Sequence, residues 1–588
     1  MTEPSTLCEA FQATAARYGD RVAIRASDGS LSLTWREYGE RVRTLAAGLA
    51  GLGVRAGDTV ALMLANRPEF HVCDTAVLHM GATPFSVYNT LAPQQIAYLF
   101  ANAGNRVVIC ERQFLDRVRA AVAGSTVEHI VCVDAGEPGT LALEEVTARP
   151  DPAFDFDASW RAIRSQDVLT IIYTSGTTGP PKGVELTHAN MLAELRATDA
   201  VTAAGPQDTV VSYLPDAHIA NRWGSHYANM FTGVQVVTVA DLRSLVTVLP
   251  QVRPTLFGGV PQVWYKLKAG LDAALAAEPS IAKRKLAAWA IGVGSEVVRR
   301  RSDGRAVPIG MRVRHRVAER LVLSRIRARI GLDRVRVAVS GASAIAPDVL
   351  VFVLGIGIPC CELWGMSELT CTATLNRPDA VRIGTVGPPV PGLELSLADD
   401  GELLARGPLV MKGYRNDPQR TAEAIDADGW LHTGDIATMD ADGYVTIVDR
   451  KKELIINAAG KNMSPANIEG TVKAACPLAG SIAAIGNDRP YVVALITLDP
   501  DACAAFAAAR GLGASSPAEL AAEPVVQQAV DAGVRAANEK LSRVEQIKRF
   551  TILPATWEPG GEEVTPTMKL RRKPIAAKYA REIEALYA

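Results

Sequence analysis

Between residues 40 and 135, Ala- and Leu-rich stretches with helical spacing alternate with short apolar runs such as TVALML (59–64) and RVVIC (106–110). Apolar runs of this length between helical segments predict buried strands of a largely parallel α/β sheet. A second α/β stretch is predicted from about 167 to 375, with strands at VLTIIYT (168–174), VQVVTV (234–239) and RVRVAVS (334–340). From 376 to 448 the period changes. LELSLADDGELLARG (393–407) alternates on both sides of a central turn and predicts a β-hairpin, and DADGYVTIVDR (440–450) predicts a turn followed by a strand. After Arg450 the pattern is that of a small α+β unit with a long Ala-rich helical segment at 517–541. The boundary falls near 449–452, giving an N-terminal unit of 1–449 and a C-terminal unit of 450–588.

Residues 270–330 keep helical spacing but carry many Arg, as in RVRHRVAERLVLSRIRARIG (312–331). The plainer reading is a solvated helical insertion whose Arg stems cover apolar neighbours. The sharper one is an anchor for an anionic membrane surface or for nucleotide-like phosphates.

Length and charge narrow the picture. A chain of 588 residues exceeds one small core, and its net charge of −1 offers no general attraction to nucleic acid. Nine Cys without CxxC spacing fit a reducing compartment and neither a disulfide framework nor a structural zinc site. Cys360 and Cys361 read as small buried residues at a strand end. The opening stretch has acidic residues and helical spacing, unlike a secretory signal, and no run approaches the ~20 apolar residues that span a bilayer. A soluble cytoplasmic protein is expected, with peripheral membrane contact left open.

The chemistry centres on IIYTSGTTGPPKG (171–183). Gly176 and Gly179 let backbone N–H groups approach an anion; Thr174, Ser175, Thr177 and Thr178 add hydroxyls, and Lys182 adds a point charge. The spacing is not that of a P-loop, because Pro180 and Pro181 intervene. On this stretch alone, a nucleotide phosphate cradle and a surface turn stand level. Neither the Walker spacing nor a kinase catalytic loop occurs.

Three further stretches follow in order: ELWGMSELT (362–370), GWLHTGDIATMDADGYVTIVDRKKELI (429–455) and TPTMKLRRK (565–573). With the first, they resemble the signature motifs of the adenylate-forming superfamily, specifically the bacterial long-chain fatty acyl-CoA synthetases. The resemblance runs from about residue 10 to the end. It implies a large N-terminal domain of stacked α/β subdomains plus a distorted β-barrel, and a small mobile α+β C-terminal domain. It also implies ATP-dependent conversion of a fatty acid, most simply of medium or long chain, to acyl-AMP and then to acyl-CoA. ATP and coenzyme A would be co-substrates and Mg²⁺ the cofactor.

Residue roles come from the same resemblance. Thr174, Ser175, Gly176, Thr177, Thr178, Gly179 and Lys182 look like the phosphate loop, and Gly341, Ala342 and Ser343 like the adenine segment. Trp364 stands where the family usually has Tyr and is expected to stack on the purine, beside Gly365 and Met366. Ser367 is the phosphate-contacting hydroxyl, and Glu368, with Thr174, the Mg²⁺ ligand. Asp435 and Arg450 look like the ribose pair, Lys569 the catalytic lysine and Lys452 the hinge. Gly460 and Lys461 lie in the segment expected beside coenzyme A. His218, in YLPDAHIANRWG (213–224), matches a residue beside the reacting carboxylate. Trp223, Gly258, Gly259 and Val260 are expected to line the acyl tunnel.

The sequence also departs from the family pattern. Met568 stands where many relatives have Gly, and Asp216 and Asn221 replace the usual Leu and acidic residue. Arg571, Arg572 and Lys573 read as a solvated basic face. Two other functions stay open: an acyl-AMP ligase serving a carrier protein, and a catalytically degenerate nucleotide-binding homologue. The resemblance leaves room for a homodimer and names small molecules, with no nucleic acid, as partners.

Overall fold

The computed structural model describes residues 3–134, 136–174, 180–458, 461–513, 516–566 and 568–588. Ser175, Gly176, Thr177, Thr178, Gly179 and Gly460, expected at the site, lie outside the described residues.

The first α/β stretch forms a five-stranded, all-parallel sheet ordered Thr83–Ser86, Thr59–Met63, Val107–Cys110, His129–Cys132 and Leu141–Ala142. Its strands are almost wholly apolar because helices cover both faces. A second sheet runs Thr209–Ser212, Gln235–Thr238, Val22–Ala26 and Ser32–Thr34. A third joins Leu256–Gly259, Val337–Ser340 and Cys360–Trp364 in parallel, with Thr374–Leu375 antiparallel at its edge. Residues 394–450 form a four-stranded antiparallel sheet that contains the anticipated hairpin of Glu394–Leu397 with Glu402–Arg406.

The strand before the glycine-rich loop differs from the parallel pattern around it. Val168–Thr174 turns back on Lys182–Thr187 as an antiparallel hairpin whose last pair is Thr174 with Lys182. The short strand Gly413–Tyr414 pairs with the far edge of Lys182–Thr187. Lys182 is therefore anchored by a strand at the rim of the loop.

The two largest apolar clusters among the described residues are separate. One extends from Leu7 to Val445, and another is confined to residues between Ile455 and Ile547. The smaller domain carries a sheet of Ala479–Ile485, Val492–Leu498 and Ile547–Ile552. The helical segment expected at 517–541 is two helices, Pro517–Ala522 and Pro524–Asn538. Pro524 lacks the N–H that would continue the first helix, and Glu523 before it is extended. All nine Cys are free and buried. Among the described residues, no helix is long and apolar enough to cross a membrane.

Candidate active site

Antiparallel pairing places Asp435 directly opposite Arg450 on neighbouring strands, Leu431–Met439 and Val445–Arg450. The Arg450 guanidinium lies 3.1 Å from one carboxylate oxygen of buried Asp435. The other oxygen accepts the indole N–H of Trp364 at 2.8 Å. Trp364 is itself buried at the end of Cys360–Trp364, so its ring edge is committed to Asp435. A Tyr at this position could donate only through the O–H at the far end of its ring. This contact gives the departure from Tyr a positioning role that the expectation of purine stacking did not include.

Gly365 is required immediately after Trp364. A Cβ there would fall 1.7 Å from the Cys371 carbonyl oxygen. The chain doubles back through Ser367–Leu369 and leaves Thr370 and Cys371 at φ +62° and +148°, conformations unfavourable for residues with a Cβ. Hydrogen bonds hold this bend: Thr370 Oγ1 donates to the Leu409 carbonyl at 2.6 Å, and the Thr372 N–H donates to Glu194 Oε1 at 3.0 Å. Glu194 is fully buried, and burial pushes its carboxyl up to about 8, against the opposing Thr372 bond. It therefore serves as a mostly neutral clamp at pH 7.

Because Glu194 binds its proton more tightly folded than unfolded, its contribution is greatest at acid pH and is lost as pH rises through about 8. Glu194→Gln keeps the acceptor and cannot ionise. The variant is expected to match the parent near pH 5 and exceed its stability at pH 8, by a few kcal/mol at most. Urea unfolding at both pH values is the check; a larger gain at pH 5 contradicts this account.

Glu368, at the centre of the bend, is buried and accepts the Tyr414 hydroxyl at 2.9 Å. The Lys182 ammonium lies 4.5 Å from the centre of the same Tyr414 ring, a cation–π contact. Tyr414 thus joins two site residues nearly two hundred positions apart. No motif marked it; the only local sign is the turn-rich run GYRNDP (413–418).

Lys569 enters from the smaller domain. Its loop is held by the Thr565 and Lys569 backbone groups (2.8 Å) and by the Lys569 N–H to Thr565 Oγ1 (3.0 Å). Met568 at φ +64° makes the tight turn, so the Gly of many relatives would fit here with less strain. Lys569 is exposed as a residue, yet protein crowds its ammonium. Desolvation and then Arg450 lower its pKa, while Asp435, Glu368 and Glu453 partly oppose them. His218 faces the same lysine: burial and then Lys569 push it down to about 4. Its Nδ1 accepts the Ala220 N–H at 3.1 Å, so the neutral ring carries its proton on Nε2. Lys182, Glu368, Asp435, Arg450, Lys569 and His218 therefore share one cleft.

The remaining candidates frame it. Gly258 and Gly259 end the strand Leu256–Gly259, and Gly259 pairs with Ser340, which leads into half-buried Gly341 and the exposed Ala342 and Ser343. Gly258 accepts the Tyr213 hydroxyl at 2.6 Å, and Val260 begins the next helix as its cap. Trp223 is half-buried in a π-helical turn, Arg222–Tyr227. Asp216 and Asn221 face each other at 2.6 Å inside the protein, and burial raises the Asp216 carboxyl to about 8. They form a buried internal pair.

Lys452 is exposed in the turn after Val445–Arg450, and Lys461 is exposed with its N–H on Asn457 Oδ1 at 2.9 Å. Buried Asp449 accepts the Ser464 hydroxyl at 2.5 Å and the Ala466 N–H at 3.2 Å, fastening the start of helix Pro465–Ala475. Arg572 is not the solvated charge expected. It is mostly buried and grips Glu469 through both terminal nitrogens, at 2.6 and 2.9 Å, because the short final helices fold this basic run back onto helix Pro465–Ala475.

A cation could use this cleft sparingly. Among the described residues, no group of three or more His, Cys, Asp or Glu is placed to ligate a metal. Mg²⁺ bound with a nucleotide needs only one or two carboxylates, the rest coming from phosphate and water. Glu368, with Oε1 taken by Tyr414, fits that requirement, and Thr174 stands across the hairpin from Lys182.

Comparison with known proteins decides the family. A model described as AMP-binding enzyme matches residues 11–415, and one described as AMP-binding enzyme C-terminal domain matches 452–588. The chain belongs to the AMP-binding enzyme family. A Mycobacterium tuberculosis chain named as a fatty-acid–CoA ligase, fadD11, is 54% identical over 452 residues, covering 77% of this chain and 79% of that one. Long-chain-fatty-acid–CoA ligase FadD15 of Mycobacterium bovis is 36% identical over 566 residues, 94% and 92% of the two chains. Among solved structures, the anthranilate CoA ligase AuaEII in complex with anthranoyl-AMP aligns with a TM-score of 0.74 at 20% identity, covering 99% and 98%. That likeness shows the fold, a large N-terminal domain with a smaller C-terminal one. Enzymes of this family use ATP, and their Mg²⁺ fits the donor set just described.

The Trp364–Asp435 bond gives a direct test. Trp364→Phe keeps the ring and removes the N–H, leaving a buried carboxylate oxygen short of a donor; such charged bonds contribute roughly 1.5–3 kcal/mol. The KM for ATP is expected to rise about tenfold or more, with kcat little changed. An unchanged KM removes Trp364 from nucleotide positioning.

Proposed function

We propose that this chain activates a fatty acid with ATP and transfers it to coenzyme A. The observation that carries the reading is the meeting of Lys569 with Glu368, Asp435, Arg450 and His218 in a single cleft. The names of the relatives support the substrate class, and the boundary at 449/450 is part of the same reading.

A fatty acid with pKa near ~4–5 is ionised at pH 7 and needs no base. The difficulty is bringing that anion to a triphosphate, so fixed cations and donors carry the catalysis. A carboxylate oxygen attacks the α-phosphorus; an O–P bond forms, the bond to the β-phosphate oxygen breaks, and pyrophosphate leaves. Lys182 at the loop rim offsets β- and γ-phosphate charge, and Lys569 offsets charge on the bridging oxygen and the acid. Asp435 and Arg450 hold the ribose hydroxyls. Neutral His218 turns its Nε2–H toward the acid as a donor. Glu368 and Thr174 would hold Mg²⁺ with the nucleotide, and the ion would supply further charge neutralisation there. In the second step the coenzyme A thiol, losing its proton to water, attacks the acyl carbon and AMP leaves. Between the steps the C-terminal domain turns about Lys452, withdrawing Lys569 and bringing the 457–465 loop to the thiol.

The test is pyrophosphate release across acids of increasing length, with and without coenzyme A. Release with medium- or long-chain acids, and thioester only when coenzyme A is added, is the expected result. No release with any acid removes the activity, and adenylate that never passes to coenzyme A reassigns the acceptor.

A further inference from the structure

The Arg-rich insertion carries its apolar side chains on the outside. Ile309, Val313, Val317 and Leu321 are 79%, 52%, 43% and 44% exposed. Their four-residue spacing on Ile309–Ala318 makes one stripe that drifts by about 40° per step on a regular α-helix. The wider π turn Glu319–Leu323 counters that drift and keeps Leu321 in line. The opposite face is already satisfied: Ala318, Val322 and Leu323 pack on Ala287 and Ala290 of helix Ile281–Ser302. Scattered exposed apolar residues are ordinary, but four in a row on one helix are a surface with a purpose.

Arginines border the stripe. Arg312, Arg316 and Arg320 are exposed along it, and none lies in an ion pair among the described residues, whereas Arg300, Arg305 and Arg327 are each neutralised by a local carboxylate. Residues 281–329 contain fourteen Lys and Arg against three acidic residues, in a chain whose net charge is −1. The expectation that Arg stems cover the apolar neighbours fails here, because the neighbours are open to water.

We propose that this helix docks on an anionic lipid surface. Apolar side chains flanked by guanidiniums suit a headgroup boundary, where the first enter the acyl region and the second meet phosphate. A bound nucleotide phosphate would leave the stripe wet. A second copy of this chain would set one Arg row against another. The placement is also apt for the proposed function, on which the docking itself does not depend. The insertion leaves the sheet at Val260, just beyond the candidate acyl strand, and returns at Val337 beside the adenine segment.

The experiment is co-sedimentation of the full chain with phosphatidylcholine vesicles and with vesicles containing about 30% phosphatidylglycerol, at about 0.1 M salt. At least tenfold stronger retention on the anionic vesicles is expected, weakening as salt rises. V313E/V317E is expected to lower retention at least tenfold while its melting temperature and its pyrophosphate release with a soluble medium-chain acid stay at parental values. R312Q/R316Q/R320Q, which leaves the helix core untouched, is expected to abolish the preference for anionic lipid. Equal retention on both vesicle types overturns the proposal, as does parental retention of either variant. A parent that ignores vesicles but runs as a dimer that V313E/V317E splits assigns the face to a second copy instead.

Discussion

Replacing Lys569 with Ala is expected to slow adenylate formation on the order of 10³-fold, as removal of a fixed charge aimed at a developing anion does. Thioester formation from supplied acyl-AMP is expected to stay within a few-fold of the parent, because the proposed second step proceeds with the lysine withdrawn. The split distinguishes a catalytic role from general damage to the site. The parent should also show a characteristic pH profile. Desolvation and Arg450 hold the Lys569 pKa below the ordinary lysine value, and the protonated form is the useful one. Adenylation should therefore fall as pH rises through that lowered value, earlier than a free lysine would titrate. His218, at about 4, adds no step between pH 5 and 8. Single-turnover measurements of both half-reactions across pH test the set. Parental adenylation speed in Lys569→Ala removes the mechanism.

Asp74→Ala is expected to destabilise the protein by roughly 3–5 kcal/mol, because it strands a charge inside the core. Asp74 and Arg222 are fully buried and pair at 2.6 Å. Arg222 further donates to the Tyr227 hydroxyl (2.9 Å), Ser86 Oγ (2.8 Å) and the Asp216 carbonyl (2.9 Å). His226 Nε2 meets the other Asp74 oxygen at 2.9 Å, and its Nδ1 lies 2.9 Å from His71 Nδ1. With Nε2–H donated to the carboxylate, His226 Nδ1 accepts and His71 Nδ1 donates, which suits a His71 kept neutral by burial. Burial alone would raise the Asp74 pKa, but Arg222 and His226 outweigh it and hold it low. Its stabilisation is therefore present at neutral pH and fades as acid approaches its lowered value. Urea unfolding at pH 7 measures the loss; a change under 1 kcal/mol contradicts the account. The network fixes the π turn that carries Trp223, so loss of activity with long acids should accompany it.

Much of this was readable from residue order, and the exceptions share a cause. Strands such as Val168–Thr174 and the hairpin at 394–406 followed from local alternation and turn residues. The nearness of Asp435 and Arg450 was implied only by family resemblance, and strand pairing then explains it. Tyr414 was invisible because it touches Lys182 and Glu368 across the fold, and no local spacing encodes that. The Asp74–Arg222–His226 cluster escaped for the same reason: Asp74 and Arg222 are 148 residues apart. Arg572 was misjudged because a run of charge looks alike whether it faces water or a buried carboxylate. At the insertion, residue order left a solvated helical face and a membrane anchor both open, since helical spacing does not say which face has a partner.

The fastening at Asp449 has a mechanical corollary. Position 452 lies between that aspartate and the two donors it holds, so the rotation proposed there would have to prise the chain's own helix cap open. The catch would act as a detent, retaining the lysine-in arrangement until binding energy from the incoming thiol group releases it. Speed of exchange between the two chemical steps would then be governed by an interior carboxylate that touches neither substrate.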